Sequence, residues 1–141
     1  MDTITLSTSR RMELVDITAQ VAQCAASWPQ AGALVVFCPH TTAGLCINEG
    51  ADPNVARDVL AHLSRLVPEG GDFRHAEGNA DAHIKTILTG ASVLVLTHHG
   101  QLRLGTWQRI FLAEWDGPRR RTLWVQPLAG LATGGEFLAQ P

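Results

Sequence analysis

The sequence predicts a single compact α+β domain in which a mostly antiparallel sheet folds into a sandwich-like arrangement with two or three helices. Three observations point there. Short β-branched runs, residues 33–37 and 93–96 among them, read as strands buried on at least one face. Residues 53–67 and 79–88 carry apolar side chains at helical spacing. The inferred order β, β, α, β, β, α, α, β, β, β lacks the regular alternation of a parallel βαβ sheet.

Residues 3–7 alternate around Ile4 and Leu6, and residues 12–17 repeat the pattern after a Thr-Ser-Arg-Arg break, so an opening hairpin is expected. Asp16 or Thr18 is placed to cap a helix reaching Ser27, with Val21, Cys24 and Ala25 inward. Residues 33–37 then form a strand, and residues 43–47 read as its neighbour across the His40-Thr41-Thr42 connection. Asp52 caps the next helix and Pro53 suits its first position. Val55, Val59, Leu60, Leu63, Leu66 and Val67 share one arc of that helix.

Residues 68–78 are a Gly/Pro-rich loop, and it delivers His75 and Glu77 to a helix that Asn79 or Asp81 can cap. Ala80, Ile84, Ile87 and Leu88 are its expected inward face, and Thr89-Gly90 ends it. Residues 93–96 make a central strand, and His98 to Gln101 turn into a long segment with a bulge at Gly105. Period two then puts Thr106, Gln108, Ile110, Leu112 and Glu114 on one face, with Trp107, Phe111 and Trp115 on the other. Polar Gln108 and Glu114 on an apolar face require partners. A turn at Asp116-Gly117-Pro118 leads to a last strand over 121–126, which gives a domain of residues 1–128 and a Gly/Ala-rich tail over 129–141.

A chain of 141 residues fits one domain, and 45% hydrophobic with 17% charged residues is a globular composition. No apolar run approaches the roughly 20 residues of a membrane helix, so no membrane partner is expected. A net charge of −2 gives no general attraction to polyanions, and nucleic acid is not an expected partner. The one dense basic run, Arg119-Arg120-Arg121, reads as a phosphate site or as a solvated strand start. Three cysteines without C-x-x-C spacing suit reduced thiols, and the first eleven residues lack a secretory pattern; both favour a cytoplasmic location.

Three segments carry the polar chemistry. CPHTTAGLCINEGADP, residues 38–53, crowds His40, Thr41, Thr42, Asn48, Glu49 and Asp52 between a strand and a helix. RHAEGNADAH holds His75, Glu77, Asn79, Asp81 and His83, and LRLGTWQRIFLAEW holds Thr106, Gln108 and Glu114. Together they suggest one assembled pocket. His40, His75 and His83 each lie near a carboxylate or amide that can orient a second ring nitrogen, and three imidazoles leave an open position on zinc or a similar metal. Glu49 with Asp52, or Glu77 with Asp81, suits a general base or magnesium ligands, although helix capping also explains Asp52 and Asp81. Serine-hydrolase, P-loop and dinucleotide signatures are absent.

In their order, PHTTAGLCINEGADPNVARD, LVPEG, RHAEGNADAHIKTILTGASV and LRLGTWQRIFLAEWDGPRRR resemble the YjbQ-type family, described as secondary thiamine-phosphate synthases, over almost all of the chain to about Gln126. The resemblance implies a homotrimer of compact α+β domains. It carries over His40, Thr41, Asn48, Glu49 and Asp52, then His75, Asn79, Asp81 and His83, then Gly105, Thr106, Trp107, Gln108, Glu114 and Arg119. Cys46 stands where the family often has Thr, and the tail after Gln126 reads as an addition of this chain.

The implied reaction joins a hydroxymethylpyrimidine diphosphate to a thiazole phosphate and releases pyrophosphate. Such a transfer calls for a divalent metal, zinc or magnesium, and for cationic groups around the leaving diphosphate. His40, His75 and His83 are the expected metal ligands, and Glu49, Asp81, Gln108 and Glu114 the expected catalytic groups. Thr41, Asn48, Asp52, Asn79, Thr106, Trp107, Arg119 and Arg121 are expected to bind a small phosphorylated metabolite. A metal-dependent hydrolase of a small phosphorylated or acyl metabolite, or a non-enzymatic metabolite-binding trimer, would draw on the same residues.

Overall fold

The computed structural model describes residues 1–129. Its elements run β1 (Asp2–Ser7), β2 (Glu13–Asp16), α1 (Thr18–Ala26), β3 (Ala31–Phe37), β4 (Ala43–Glu49), α2 (Pro53–Leu66), α3 (Ala80–Thr89), β5 (Ser92–His98), β6 (Gln101–Leu102), β7 (Gln108–Glu114) and β8 (Arg120–Ala129). Every strand pairing is antiparallel. Five strands form one sheet in the order β1-β8-β3-β5-β6, and three form a second in the order β2-β7-β4. The expected α+β sandwich is therefore present, with three helices among the described residues where two or three were expected. Among the described residues no helix is long and apolar enough to cross a membrane.

Alternation builds the core. Ile4, Leu34, Val36, Val95, Leu123 and Val125 of the larger sheet meet Ala43, Leu45, Ile110 and Leu112 of the smaller one, while Ile17, Val21 and Ala25 of the α1 region join the same cluster. Asp16 starts α1 by accepting the Thr18 N–H at 2.8 Å, and the Thr18 hydroxyl accepts the Ile110 N–H at 2.9 Å, tying the helix to β7. A smaller cluster of Ala82, Ala113 and Trp115, packed by Met12, Leu14, Leu60 and Leu63, joins α2 and α3 to the other face of the three-stranded sheet.

Several connections differ from expectation. β1 and β2 are not a hairpin: β1 pairs with β8 and β2 with β7, one in each sheet. Likewise β3 and β4 do not pair, because the chain crosses between sheets at His40 to Thr42. Local alternation identifies strands but not partners, and here each partner lies far along the chain. The 102–115 segment divides into β6 and β7 with a loop containing Gly105 between them. The last strand continues through Pro127 and Leu128 to Ala129, pairing with β3, so its end reaches past the expected stop at 126. The rest of the expected tail lies outside the described residues.

The largest difference is the face that α3 buries. Asp81, Ala82, Lys85 and Thr86 point inward, whereas Ile87 and Leu88 are 82% and 55% exposed. Lys85 Nζ lies 2.6 Å from Asp81 Oδ2, and Arg11 Nη2 lies 3.0 Å from Asp81 Oδ1. Small Ala82 and Gly44 let the helix approach β4, and a side chain at Gly44 would meet Thr89 and the Gly90 carbonyl. A buried charge is tolerable only when paired, and here the charges pair on the inner face. The apolar residues are left outside.

Asp81→Ala is expected to strand Lys85 without its partner and to cost about 3–5 kcal/mol in urea unfolding. Combining it with Lys85→Met should recover most of the loss. A single substitution that changes stability by less than about 0.5 kcal/mol would contradict this account of α3.

Candidate functional site

Glu114 ends β7 with its side chain turned between the sheets, in the same parity as buried Ile110 and Leu112. Arg121 near the start of β8 faces it, in the parity of Leu123 and Val125. Arg121 Nε donates to Glu114 Oε2 at 2.7 Å and Nη2 donates to Oε1 at 2.5 Å, a two-point contact across the two sheets. The Trp115 and Asp116 N–H groups donate to Oε1 at 3.0 and 2.9 Å, and the Thr8 hydroxyl donates to Oε2 at 3.0 Å. Both carboxylate oxygens are thus occupied. Burial pushes the Glu114 pKa up, but Arg121, the Asp116 N–H and Thr8 outweigh it and hold it below the ordinary 4.5. Glu114, expected among the catalytic groups, anchors an arginine in this structure.

Gly117 makes this crowding possible, since a Cβ there would run into the Arg10 carbonyl and the Glu114 side chain. The Arg121 Nη2 also donates to the Thr42 hydroxyl at 2.9 Å. Nη1 has no hydrogen-bond partner among the described residues, and Arg121 lines a cavity of about 310 Å³. The arginine is only 4% exposed, so its orientation is set by the protein before any ligand arrives.

His40, Thr41, Thr42, Glu77, Asn79, His83, Asp116 and Arg119 share that cavity. His40 Nε2 lies 3.0 Å from the Thr122 nitrogen and 3.1 Å from the Thr122 carbonyl oxygen. A bare Nε2 accepts the Thr122 N–H and a protonated one donates to the carbonyl, so either ring tautomer is anchored. Burial first, and Arg121 second, push the His40 pKa below the usual 6.5.

A second network stands beside the first. Asp116 accepts from Arg11 Nη1 at 3.0 Å, Asn79 Nδ2 at 2.9 Å and Arg119 Nη2 at 2.7 Å. Burial raises the Asp116 pKa, but Asn79, Arg119 and Arg11 together bring it below 3.8. Arg11 continues the network to Asp81, and its Nε lies 3.1 Å from Glu69. Asn79 and Asp81, expected as helix caps or substrate and catalytic groups, are members of this network; Asp81 is fully buried behind the cavity rather than in its lining.

The remaining expected residues lie elsewhere. Asn48, Glu49 and Gln108 sit at the far ends of β4 and β7, about 20 Å from Thr42 and Glu114 at the rise of an extended strand. There Asn48 Oδ1 accepts the Glu49 N–H, Glu49 Oε1 the Asp52 N–H, Asp52 Oδ1 the Asn54 N–H, and Gln108 Oε1 the Gly105 N–H. These side chains close turns and cap α2. Thr106 and Trp107 are exposed beside them. One chain thus places the expected residues in two groups rather than one pocket.

The expected metal ligands do not converge within one chain. His75 and His83 meet edge to face with ring centroids 5.2 Å apart, and Glu77 lies 3.7 Å from His75 Nε2. His40 Nε2 faces Thr122. Among the described residues no group of three or more His, Cys, Asp or Glu is placed to hold a metal ion. The three-imidazole zinc set is not assembled in this arrangement. Burial also raises the pKa of Cys24, Cys38 and Cys46, which disfavours a thiolate nucleophile.

Thr8, Arg11, Thr42 and Asp116 are the contributors without an expected role. Thr42 and Asp116 were visible in their motifs as a connection and a turn, but Arg11 reaches Asp81 and Asp116 across 70 and 105 residues, and no local pattern announces that. Glu114→Gln keeps the shape and removes the charge opposite Arg121. A loss of about 3 kcal/mol in urea unfolding is expected. With its folded pKa depressed, Glu114 contributes stability fully above the unfolded pKa and loses it as pH falls through the folded one; the variant should show a shallower acid limb, with Asp116 still contributing. An unchanged urea midpoint and acid limb would contradict this role.

The family profile described as UPF0047 protein YjbQ-like matches residues 2–130. A UPF0047 protein of Methanocaldococcus jannaschii is 48% identical over 122 residues, covering 86% of this chain and 88% of the relative. The YugU protein of Bacillus subtilis is 43% identical over 128 residues, covering 89% and 97%. A solved YjbQ/UPF0047 protein of Clostridium acetobutylicum superposes with a TM-score of 0.88 at 46% identity, covering 91% of this chain and 100% of that one. A conserved hypothetical protein of Thermus thermophilus gives 0.85 at 44% identity, covering 91% and 100%. This chain belongs to the YjbQ-like UPF0047 family.

Proposed function

We propose that the cavity beside Arg121 binds the phosphate group of a small metabolite, and that the chain is a thiamine-phosphate synthase-like transferase. The observation that carries the anion site is the pre-set guanidinium: Glu114 and Thr42 hold Arg121 through Nε and Nη2, and Arg121 lines the cavity. Arg119 lies beside it with a half-exposed side chain. Donors fixed in advance stabilise charge that grows on a leaving group without reorganising during the reaction. In the proposed transfer, the thiazole nitrogen bonds to the pyrimidine methylene carbon as the carbon–oxygen bond to diphosphate breaks, and pyrophosphate leaves with the electron pair. A magnesium ion can arrive on a diphosphate and take only one or two protein carboxylates; Glu77 at the cavity is one available group.

A hydrolase of a small phosphorylated metabolite is the second reading. The cavity of about 310 Å³ lies at the lower end of ligand-site volumes and its lining is largely polar, which suits one phosphate-bearing molecule.

We also propose self-association, with the homotrimer implied by family resemblance as its form. Phe37, Leu94, Leu96, Trp124 and Leu128 expose apolar surface on the larger sheet, and Ile87 and Leu88 expose another on α3. A closed ring of three uses two different surfaces on each copy, as these would provide. Sedimentation equilibrium should give three chains for the wild type and one for Leu94→Lys with Leu96→Lys; a monomeric wild type would contradict the assembly.

Incubation with both thiamine precursors and magnesium should yield thiamine phosphate and pyrophosphate. Arg119→Ala should lower the rate at least tenfold through loss of a charged contact to the phosphate. Phosphate release from one substrate alone would instead favour the hydrolase, and no pyrophosphate binding by calorimetry would contradict the anion site itself.

A further inference from the structure

We infer that the cavity is a site shared between copies of this chain: two stretches of its rim continue into surfaces that a second copy covers, so the ligand is enclosed only in the assembled protein. The inference rests on the proposed reading of the cavity as an anion site. It adds where the missing walls come from.

Both uncovered apolar patches end at the cavity. Phe37 and Trp124 are register partners in β3 and β8, and their rings stack with centroids 5.8 Å apart on the outer face of the larger sheet. Pro39 and His40 line the cavity just after Phe37, and His40 Nε2 accepts from the Thr122 nitrogen, which shares the strand parity of Trp124. The sheet patch therefore runs up to one stretch of the rim. On α3, His83 lines the cavity and Ile87 follows one turn later on the same side of the helix. The α3 patch runs up to a second stretch.

A second copy is the occupant these surfaces fit. Leu94, Leu96 and Leu128 extend the sheet patch, Ile87 and Leu88 are consecutive on α3, and none of these side chains is charged. Two unlike patches on each chain are what a closed ring of identical chains uses, and apposing them buries apolar surface that an isolated soluble chain rarely leaves open. Room points the same way. One chain encloses about 310 Å³, at the lower end of the volumes that hold a single ligand, whereas the proposed transfer brings two ring-bearing phosphorylated molecules together. A covered mouth also excludes water, and the attraction of Arg119 and Arg121 for an anion strengthens as the effective dielectric falls.

Sedimentation and pyrophosphate calorimetry on the full chain would compare wild type with two variants at exposed positions, Leu94→Ser with Leu96→Ser on the sheet and Ile87→Ser with Leu88→Ser on α3. Each variant should sediment as a single chain and bind pyrophosphate roughly tenfold more weakly or worse. An equimolar mixture should associate and recover part of the affinity, because each variant keeps the patch that the other lacks. Single-chain variants that bind as tightly as wild type, or a wild type that binds as a single chain, would overturn the shared site while leaving the anion site standing. Variants that stay assembled, or a mixture that recovers nothing, would overturn the pairing of these two patches. A wild type that binds no pyrophosphate would overturn the anion site and, with it, this inference.

Discussion

The buried contact between Glu114 and Arg121 is the constraint on which the site depends. It joins the end of β7 to the start of β8, and these strands belong to different sheets. Two charges removed from water are costly unless the geometry is good and their remaining hydrogen-bonding capacity is met. Here Thr8 and two backbone N–H groups complete the carboxylate, and Thr42 takes part of the guanidinium. The arrangement holds the sandwich closed at one end. It also fixes the arginine that lines the cavity.

The Asp116 network applies the same logic nearby. Arg11, Asn79 and Arg119 converge on one carboxylate, and Arg11 extends the pairing to Asp81 and from there to Lys85. Satisfying these groups determines which side of α3 meets the sheet. Ile87 and Leu88 consequently face outward, in company with the uncovered apolar side chains of the larger sheet. Charge pairing inside one chain and apolar surface outside it are thus two consequences of one helix rotation.

Much of the fold was legible because its signals are local. Alternation marked the strands, Asp52-Pro53 marked the start of α2, and the polar Glu114 on an apolar strand face announced a partner. Sheet membership was not legible, since β1 and β2 resemble a hairpin yet pair with strands more than 90 residues away. The α3 face misled for a physical reason: hydrophobic periodicity assigns Ile87 and Leu88 inward, but the buried charge network overrides it. For the site, the motifs marked His40, Asn79, His83 and Arg119, all at one cavity. They gave no sign that Asn48, Glu49 and Gln108 would fall at the opposite sheet end, because spacing along a chain does not report strand direction.

A crystal structure of the protein soaked with pyrophosphate tests the central claim most directly. The account predicts an anion in contact with Arg121 Nη1 while the two-point contact to Glu114 stays intact. Pyrophosphate bound elsewhere, or an Arg121 side chain that swings away from Glu114 to reach it, would contradict a guanidinium set in place before the ligand.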